Sequence, residues 1–171
     1  MIGIFSSQHV KHIPVVVLVV HKNIIKYEKE YLNITKKVKP NHELLNLYGV
    51  ILFQLNKYDQ AIVQLKKSIE INPNYYQGYN SLGNIFFKKN DFNAALEAYQ
   101  KAIDIKFDYH ETYHNKGNVY LKLRQIDKAL ENYNLSTKFN SRYLPAIKSK
   151  IMYKILIPVE AKVIREKYSN S

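Results

Sequence analysis

No cysteine occurs in the 171 residues, which excludes a disulfide framework and a thiolate metal site. A chain without thiols is consistent with a reducing compartment, and the cytoplasm is the expected location. Glycine and proline are scarce, at five residues each, leaving little material for the tight turns of an all-β chain. Long apolar runs are missing too. The longest, Ile13 to Val20, is broken by Pro14 and covers eight residues, against roughly 20 for a helix that spans a bilayer. His21, Lys22 and Asn23 follow it where a signal peptide would place small residues, which argues against secretion. Acidic residues number 14 against 26 Lys and Arg, a net charge of +12. Such a surface attracts polyanions, acidic segments of a partner or anionic lipid.

What is present is apolar residue in quantity, 46% of the chain, enough to rule out wholesale disorder. It is also periodic. Gly49, Gly83 and Gly117 fall 34 residues apart, as do Ala61, Ala95 and Ala129. The same spacing relates Leu52, Phe86 and Tyr120, then Tyr58, Phe92 and Ile126, then Leu65, Tyr99 and Tyr133, and finally Tyr75, Tyr109 and Tyr143. Apolar residues at three- and four-residue intervals predict two amphipathic helices per period, over 42–55 and 58–71, 76–89 and 92–105, and 110–123 and 126–139. Links as short as Asn56-Lys57 and Asn90-Asp91 force each pair to be antiparallel. Glycine on the first helix and alanine on the second then let the two approach closely.

A 34-residue period with small residues in two columns resembles the tetratricopeptide repeat (TPR). Leu45, Tyr79 and Tyr113 take the first large-residue column, and Pro73 matches the proline that closes a repeat. Phe107 and Ser141 depart from that proline, and Lys116 stands where Tyr48 and Leu82 are apolar. The resemblance implies an all-α, right-handed α-solenoid of TPR helix-turn-helix repeats. Its parts would be an N-terminal segment with a degenerate capping helix (1–41), three repeats (42–75, 76–109 and 110–143), and a C-terminal capping helix and tail (144–171). Residues 23–38 are expected to form the second helix of a degenerate preceding repeat, closed by Pro40-Asn41. Val15 to Val20 is β-branched enough for a strand, yet the register favours a degenerate first helix in buried contact. A basic helix over 144–157 should stop at Pro158, and Val159 to Tyr168 could add a short one.

In such a stack the first helices line the concave surface. The residues expected there are Asn46, Val50 and Phe53, then Gln77, Asn80, Asn84 and Phe87, then Glu111, His114, Asn115, Asn118 and Leu121. An asparagine amide both donates and accepts, so Asn80, Asn84, Asn115 and Asn118 are expected to grip the backbone of a bound peptide, with Phe53 and Phe87 supplying apolar contact. Replacing Asn84 and Asn118 by alanine should then weaken binding at nearly unchanged melting temperature. The stretches SLGNIF and NKGNVY resemble the repeats of O-linked N-acetylglucosamine transferase, whose inner surface carries an asparagine ladder. That likeness raises a second reading, the recognition arm of a larger glycosyltransferase-like enzyme. Chaperone-binding TPR proteins instead hold a terminal carboxylate with cations, and Asn80, Pro145 and Ser149 do not supply them.

Other chemistry leaves weaker traces. His110-Glu111-Thr112-Tyr113-His114 satisfies H-E-x-x-H and raises a zinc hydrolase as a further alternative. However, Tyr113 is needed for packing, no third ligand is apparent, and Glu131, the obvious acidic candidate, lies on the opposing helix in a column expected to face away. Fifteen tyrosines in a basic chain bring nucleic acid to mind. Most of them fall in core columns, with Tyr76 and Tyr168 among the exceptions, which argues against that partner. Lys148, Lys150, Lys154 and Lys162 make a basic end suited to acidic protein. No phosphate loop or nucleophile triad is present. The expectation is therefore a non-enzymatic interaction module or scaffold without cofactor or metal, whose partner is a protein or peptide segment.

Overall fold

The computed structural model describes residues 15–152, and their side chains from residue 23 onward. Seven helices alternate with short links: α1 (Val15–Thr35), α2 (His42–Gln54), α3 (Tyr58–Ile71), α4 (Tyr76–Lys88), α5 (Phe92–Ile105), α6 (His110–Lys122) and α7 (Ile126–Phe139). An eighth, α8, begins at residue 144 and is described to 152. The fold is all-α and built from repeated helix hairpins, with no strand among the described residues. The chain divides into two compact units, 1–68 and 69–171. The proposed stop at Pro158, the helix over Val159–Tyr168 and the outer lysines Lys154 and Lys162 lie outside the described residues.

In the first unit, α2 and α3 meet at a glycine–alanine contact. A methyl group on Gly49 would lie 2.7 Å from Leu65 Cδ2 and 3.4 Å from the Ala61 carbonyl oxygen. Ala61 and Leu65 are fully buried there, and Ser68 Oγ donates to the His42 carbonyl at 2.6 Å. Asn41 caps α2 by accepting from the Leu44 amide at 2.8 Å, satisfying one of the orphan donors of its first turn. On the other side, α1 packs against α2, with Tyr31 stacked on Tyr48 at 3.8 Å and Lys57 paired with Glu28 at 2.7 Å.

One expectation is corrected in α1. Val15–Val20 is neither a strand nor a separate first helix, because α1 runs unbroken from Val15 through residues 21–23 to Thr35. No proline or glycine interrupts that stretch, and the helical hydrogen-bond ladder needs no apolar periodicity to pass through His21, Lys22 and Asn23.

In the second unit α4 packs on α5, α6 on α7, and both α4 and α5 on α6. Ala95, Tyr99 and Val119 form its centre, with Phe86, Phe87, Phe92, Leu96 and Leu123 packed around them. Asp91 caps α5 by accepting from the Ala94 amide at 3.1 Å. The three hairpin links, one of them in the first unit, share one device. Asn56, Asn90 and Arg124 occupy equivalent positions and adopt left-handed backbone, with φ of 60°, 61° and 58°. In that conformation the Cβ of an L-residue crowds the following carbonyl oxygen, a cost asparagine offsets because its short amide can hydrogen-bond to the local backbone and arginine does not. Arg124→Asn should therefore raise stability by about 1 kcal/mol. A urea melt checks this, and an unchanged midpoint would mean that the link carries no strain.

Candidate peptide-binding face

The first helices of the second unit present the polar residues singled out by sequence, and packing settles what each can do. Gly83 brings α4 so close to α5 that the Tyr99 ring, 1% exposed, lies directly beneath the glycine. Its hydroxyl needs a partner, since an unpaired buried hydroxyl costs about 1–3 kcal/mol. Asn84 supplies one: Tyr99 Oη donates to Asn84 Oδ1 at 2.7 Å. The next repeat is the same, with the buried Tyr133 donating to Asn118 Oδ1 at 2.9 Å. Burial holds the Tyr99 phenol far above its ordinary pKa, so it remains a donor across the physiological range.

This geometry corrects the expectation that Asn84 and Asn118 offer a free amide. Their carbonyl oxygens are committed, and only the Nδ2 donors lack a partner among the described residues. It also corrects the expected alanine phenotype, because removing Asn84 orphans the buried Tyr99 hydroxyl and must lower stability. The sequence held a signal for this. Where Tyr99 and Tyr133 are replaced by Leu65 in the first repeat, Asn84 and Asn118 are replaced by Val50.

Asn80 departs further from expectation. It was expected on an exposed face, but it is 7% exposed. Its Oδ1 accepts from Thr112 Oγ1 at 3.0 Å and from Asn115 Nδ2 at 3.2 Å. The reason is that α6 packs directly against α4, so a polar residue facing that seam is covered by the next repeat. Asn80 and Asn115 are thereby bonded to each other, and Thr112, which the sequence did not single out, completes the group. Phe87 is half-buried against the central cluster, 6.1 Å from Phe92, so most of its apolar surface is already used. In the first unit Phe53 is likewise half-buried, 5.8 Å from Tyr58. Asn46 is half-buried with a carbonyl oxygen that has no partner, and Gln77 on α4 is similar. Leu121 is half-buried.

The H-E-x-x-H residues turn to different partners. His110 Nε2 lies 3.2 Å from Asn140 Nδ2, and His114 Nε2 lies 3.3 Å from Ser149 Oγ on α8. Tyr143 meets both rings edge-on, at 4.7 and 5.5 Å. Burial holds the His114 imidazole below its usual pKa, with Asn115 and Glu111 opposing the shift. Glu111 accepts from Tyr109 Oη at 2.6 Å. Among the described residues, no three His, Asp or Glu side chains gather as a metal would require, and no helix is long and apolar enough to cross a membrane.

Comparison with known proteins agrees with the repeat architecture. The family profile described as TPR repeat matches residues 49–89 and 83–124, and the one described as tetratricopeptide repeat matches 110–143. Among curated proteins no relative is found. The chain is similar in fold to YrrB, described as a TPR protein with an unusual peptide-binding site, at 19% identity and a TM-score of 0.65, covering 78% of this chain and 69% of that one. It is similar to MamA at 24% identity and a TM-score of 0.66, covering 86% and 83%. It is also similar to the first TPR of Spaghetti (RPAP3), bound there to the HSP90 peptide SRMEEVD, at 18% identity and a TM-score of 0.64, covering 69% and 94%. These are likenesses of the repeat as such, and they do not single out the glycosyltransferase repeats.

Proposed function

Because the chain belongs to the tetratricopeptide-repeat family, we propose that it is a non-catalytic binding module whose first-helix face in the second unit receives a peptide segment of a partner protein. The observation that carries this reading is the pair Asn84 and Asn118. Each is held through its carbonyl by a buried tyrosine, which fixes the amide and leaves its N–H donors for a ligand. Fixed donors lose little entropy on binding. Two donors one repeat apart suit the carbonyls of an extended chain, because a peptide backbone offers an acceptor at every residue whatever its side chains. YrrB and RPAP3 supply precedent, since the first is a TPR protein with an unusual peptide-binding site and the first TPR of the second is bound to a peptide.

The structure also suggests how to separate binding from folding. Aspartate keeps the oxygen that accepts from tyrosine but removes both N–H donors. Asn84→Asp combined with Asn118→Asp should lower affinity at least tenfold for 12-residue peptides selected by the native chain from a random display library, about 1.4 kcal/mol or more. The melting temperature should stay within a few degrees. Undiminished affinity, read by fluorescence anisotropy, would remove these two residues from the site.

A further inference from the structure

Successive first helices of the second unit meet along polar seams, and the seams α4–α6 and α6–α8 differ in one chemical respect. Between α4 and α6 the pair is Asn80 and Asn115, bonded at 3.2 Å, with Thr112 adding a bond to Asn80 at 3.0 Å. One repeat later the columns of Asn80, Asn115 and Thr112 hold His114, Ser149 and Ala146. His114 Nε2 lies 3.3 Å from Ser149 Oγ, and the fully buried Ala146 has no side-chain group to replace the bond from Thr112. The seam that holds α8 to α6 thus uses an ionisable ring where the preceding seam uses a neutral amide.

The His114 ring is built in as its neutral form. Its Nδ1 is buried and has no hydrogen-bond partner, so a proton there would bring charge to an atom with no acceptor already in place. Asn115 and Glu111 favour the charged form, but burial outweighs both and lowers the pKa. The surrounding elements supply no further counter-charge. Tyr133 of α7 and Tyr143 of the α7–α8 link present rings at 5.6 and 5.5 Å, and burial raises the Tyr143 phenol away from neutrality. Ser149 is flanked in α8 by Lys148 and Lys150, which oppose a second cation. On α4 the ionisable groups are Tyr76, which meets Tyr109, Tyr79, which meets Lys101, and Lys88 at the C-terminal end. Asp104 of α5 and Glu131 of α7 act on Lys116 instead, and His110 turns to Asn140.

We propose that the α6–α8 seam is a pH-sensitive joint: α8 docks on the neutral His114 ring and loosens from α6 when that ring takes up a proton. The direction follows from linkage. With α8 displaced, water reaches the ring and it binds protons as an ordinary histidine does, whereas the docked ring binds them more weakly. Docking is therefore at full strength above the usual histidine pKa of 6.5. It weakens as pH falls from there and levels off beneath the lower pKa of the docked ring. Met152 of α8 stands in the column of Asn84 and Asn118, so loosening would shorten the proposed peptide face at its C-terminal end. The joint itself does not depend on the peptide reading.

Hydrogen exchange on the full chain tests it, followed by NMR between pH 7.5 and 5.5 and corrected for the intrinsic rate at each pH. Protection of amides 147–152 should fall by roughly threefold or more across this range. These amides should exchange faster than those of α4 at every pH, which marks a local opening; equal rates would mean that the whole chain unfolds and would overturn the joint. His114→Asn, which installs the residue found at Asn80, should remove the fall, whereas His110→Gln should leave it. A fall that persists without His114, or vanishes without His110, rejects the assignment. Should His114→Asn free α8 already at pH 7.5, the longer amide of His114→Gln takes its place. The wild-type ring gives an independent reading: its Cε1–H signal should titrate below that of N-acetyl-histidine methylamide, over the same pH interval as the loss of protection. Separate intervals, or no loss of protection, overturn the proposal.

Discussion

Gly83→Ala is expected to lower the stability of the chain by about 2 kcal/mol, although alanine is the better helix former by about 1 kcal/mol. The added methyl would come within 2.5 Å of Tyr99 Cδ1 and 2.8 Å of Cζ. The ring cannot step aside, since it is 1% exposed and its hydroxyl is tied to Asn84. A rigid aromatic in a close-packed core leaves backbone displacement as the only relief. Gly49→Ala is the internal comparison. Its methyl would meet Leu65, at 2.7 Å, and a leucine can change rotamer where a bonded tyrosine cannot. The loss should therefore be clearly smaller at Gly49. Thermal melts of the two variants decide the matter, with a fall of about 4–8 °C expected for Gly83→Ala. Equal losses, or a gain at Gly83, would mean that the glycine does not set the α4–α5 distance.

That contrast also shows what the sequence could and could not reveal. Each repeat helix begins at the residue the periodicity indicates, and α3, α5 and α7 end there as well. The signals are local: apolar spacing sets the helix, while a left-handed residue or a capping side chain such as Asn41 and Asp91 ends or starts it. The identity of the close contacts was legible too, because Gly83 and Ala95 recur in phase with their equivalents. Helix α1 was not, since nothing local distinguishes one long helix from two short ones when no breaker falls between Val20 and Asn23.

The binding face was only half legible. A helical wheel places Asn80, Asn84, Asn115 and Asn118 on one polar face, and that much is correct. What the wheel omits is the neighbouring repeat. Once α6 packs against α4, Asn80 is sealed against Thr112 and Asn115. Asn84 and Asn118 stay half-exposed because they sit over tyrosines of their own hairpins. Four asparagines of one residue type thus divide into two that hold repeats together and two whose amides stay available. The division depends on contacts 15 and 35 residues away in sequence. A pattern read helix by helix does not contain it, whereas the paired replacement of Asn and Tyr by Val50 and Leu65 does.

The pairing gives the second large effect, and it can be measured as a coupling. Asn84→Val should cost about 1–3 kcal/mol, because the Tyr99 hydroxyl is left buried and unbonded. Tyr99→Phe should cost about 1 kcal/mol, since the half-exposed Asn84 carbonyl can turn to water. The double variant combines an apolar residue in the asparagine column with a ring lacking its hydroxyl, much as Val50 and Leu65 are combined in the first repeat. Its loss should fall below the sum of the single losses by about 1–2 kcal/mol. Urea melts of the four proteins measure this difference. Strict additivity would show that the hydrogen bond contributes nothing, and that Asn84 and Asn118 are free amides after all. A positive coupling has a functional consequence as well. The residues proposed to hold a peptide would then be held by the core itself, so the donors presented to a partner are positioned by the same contact that keeps each hairpin closed.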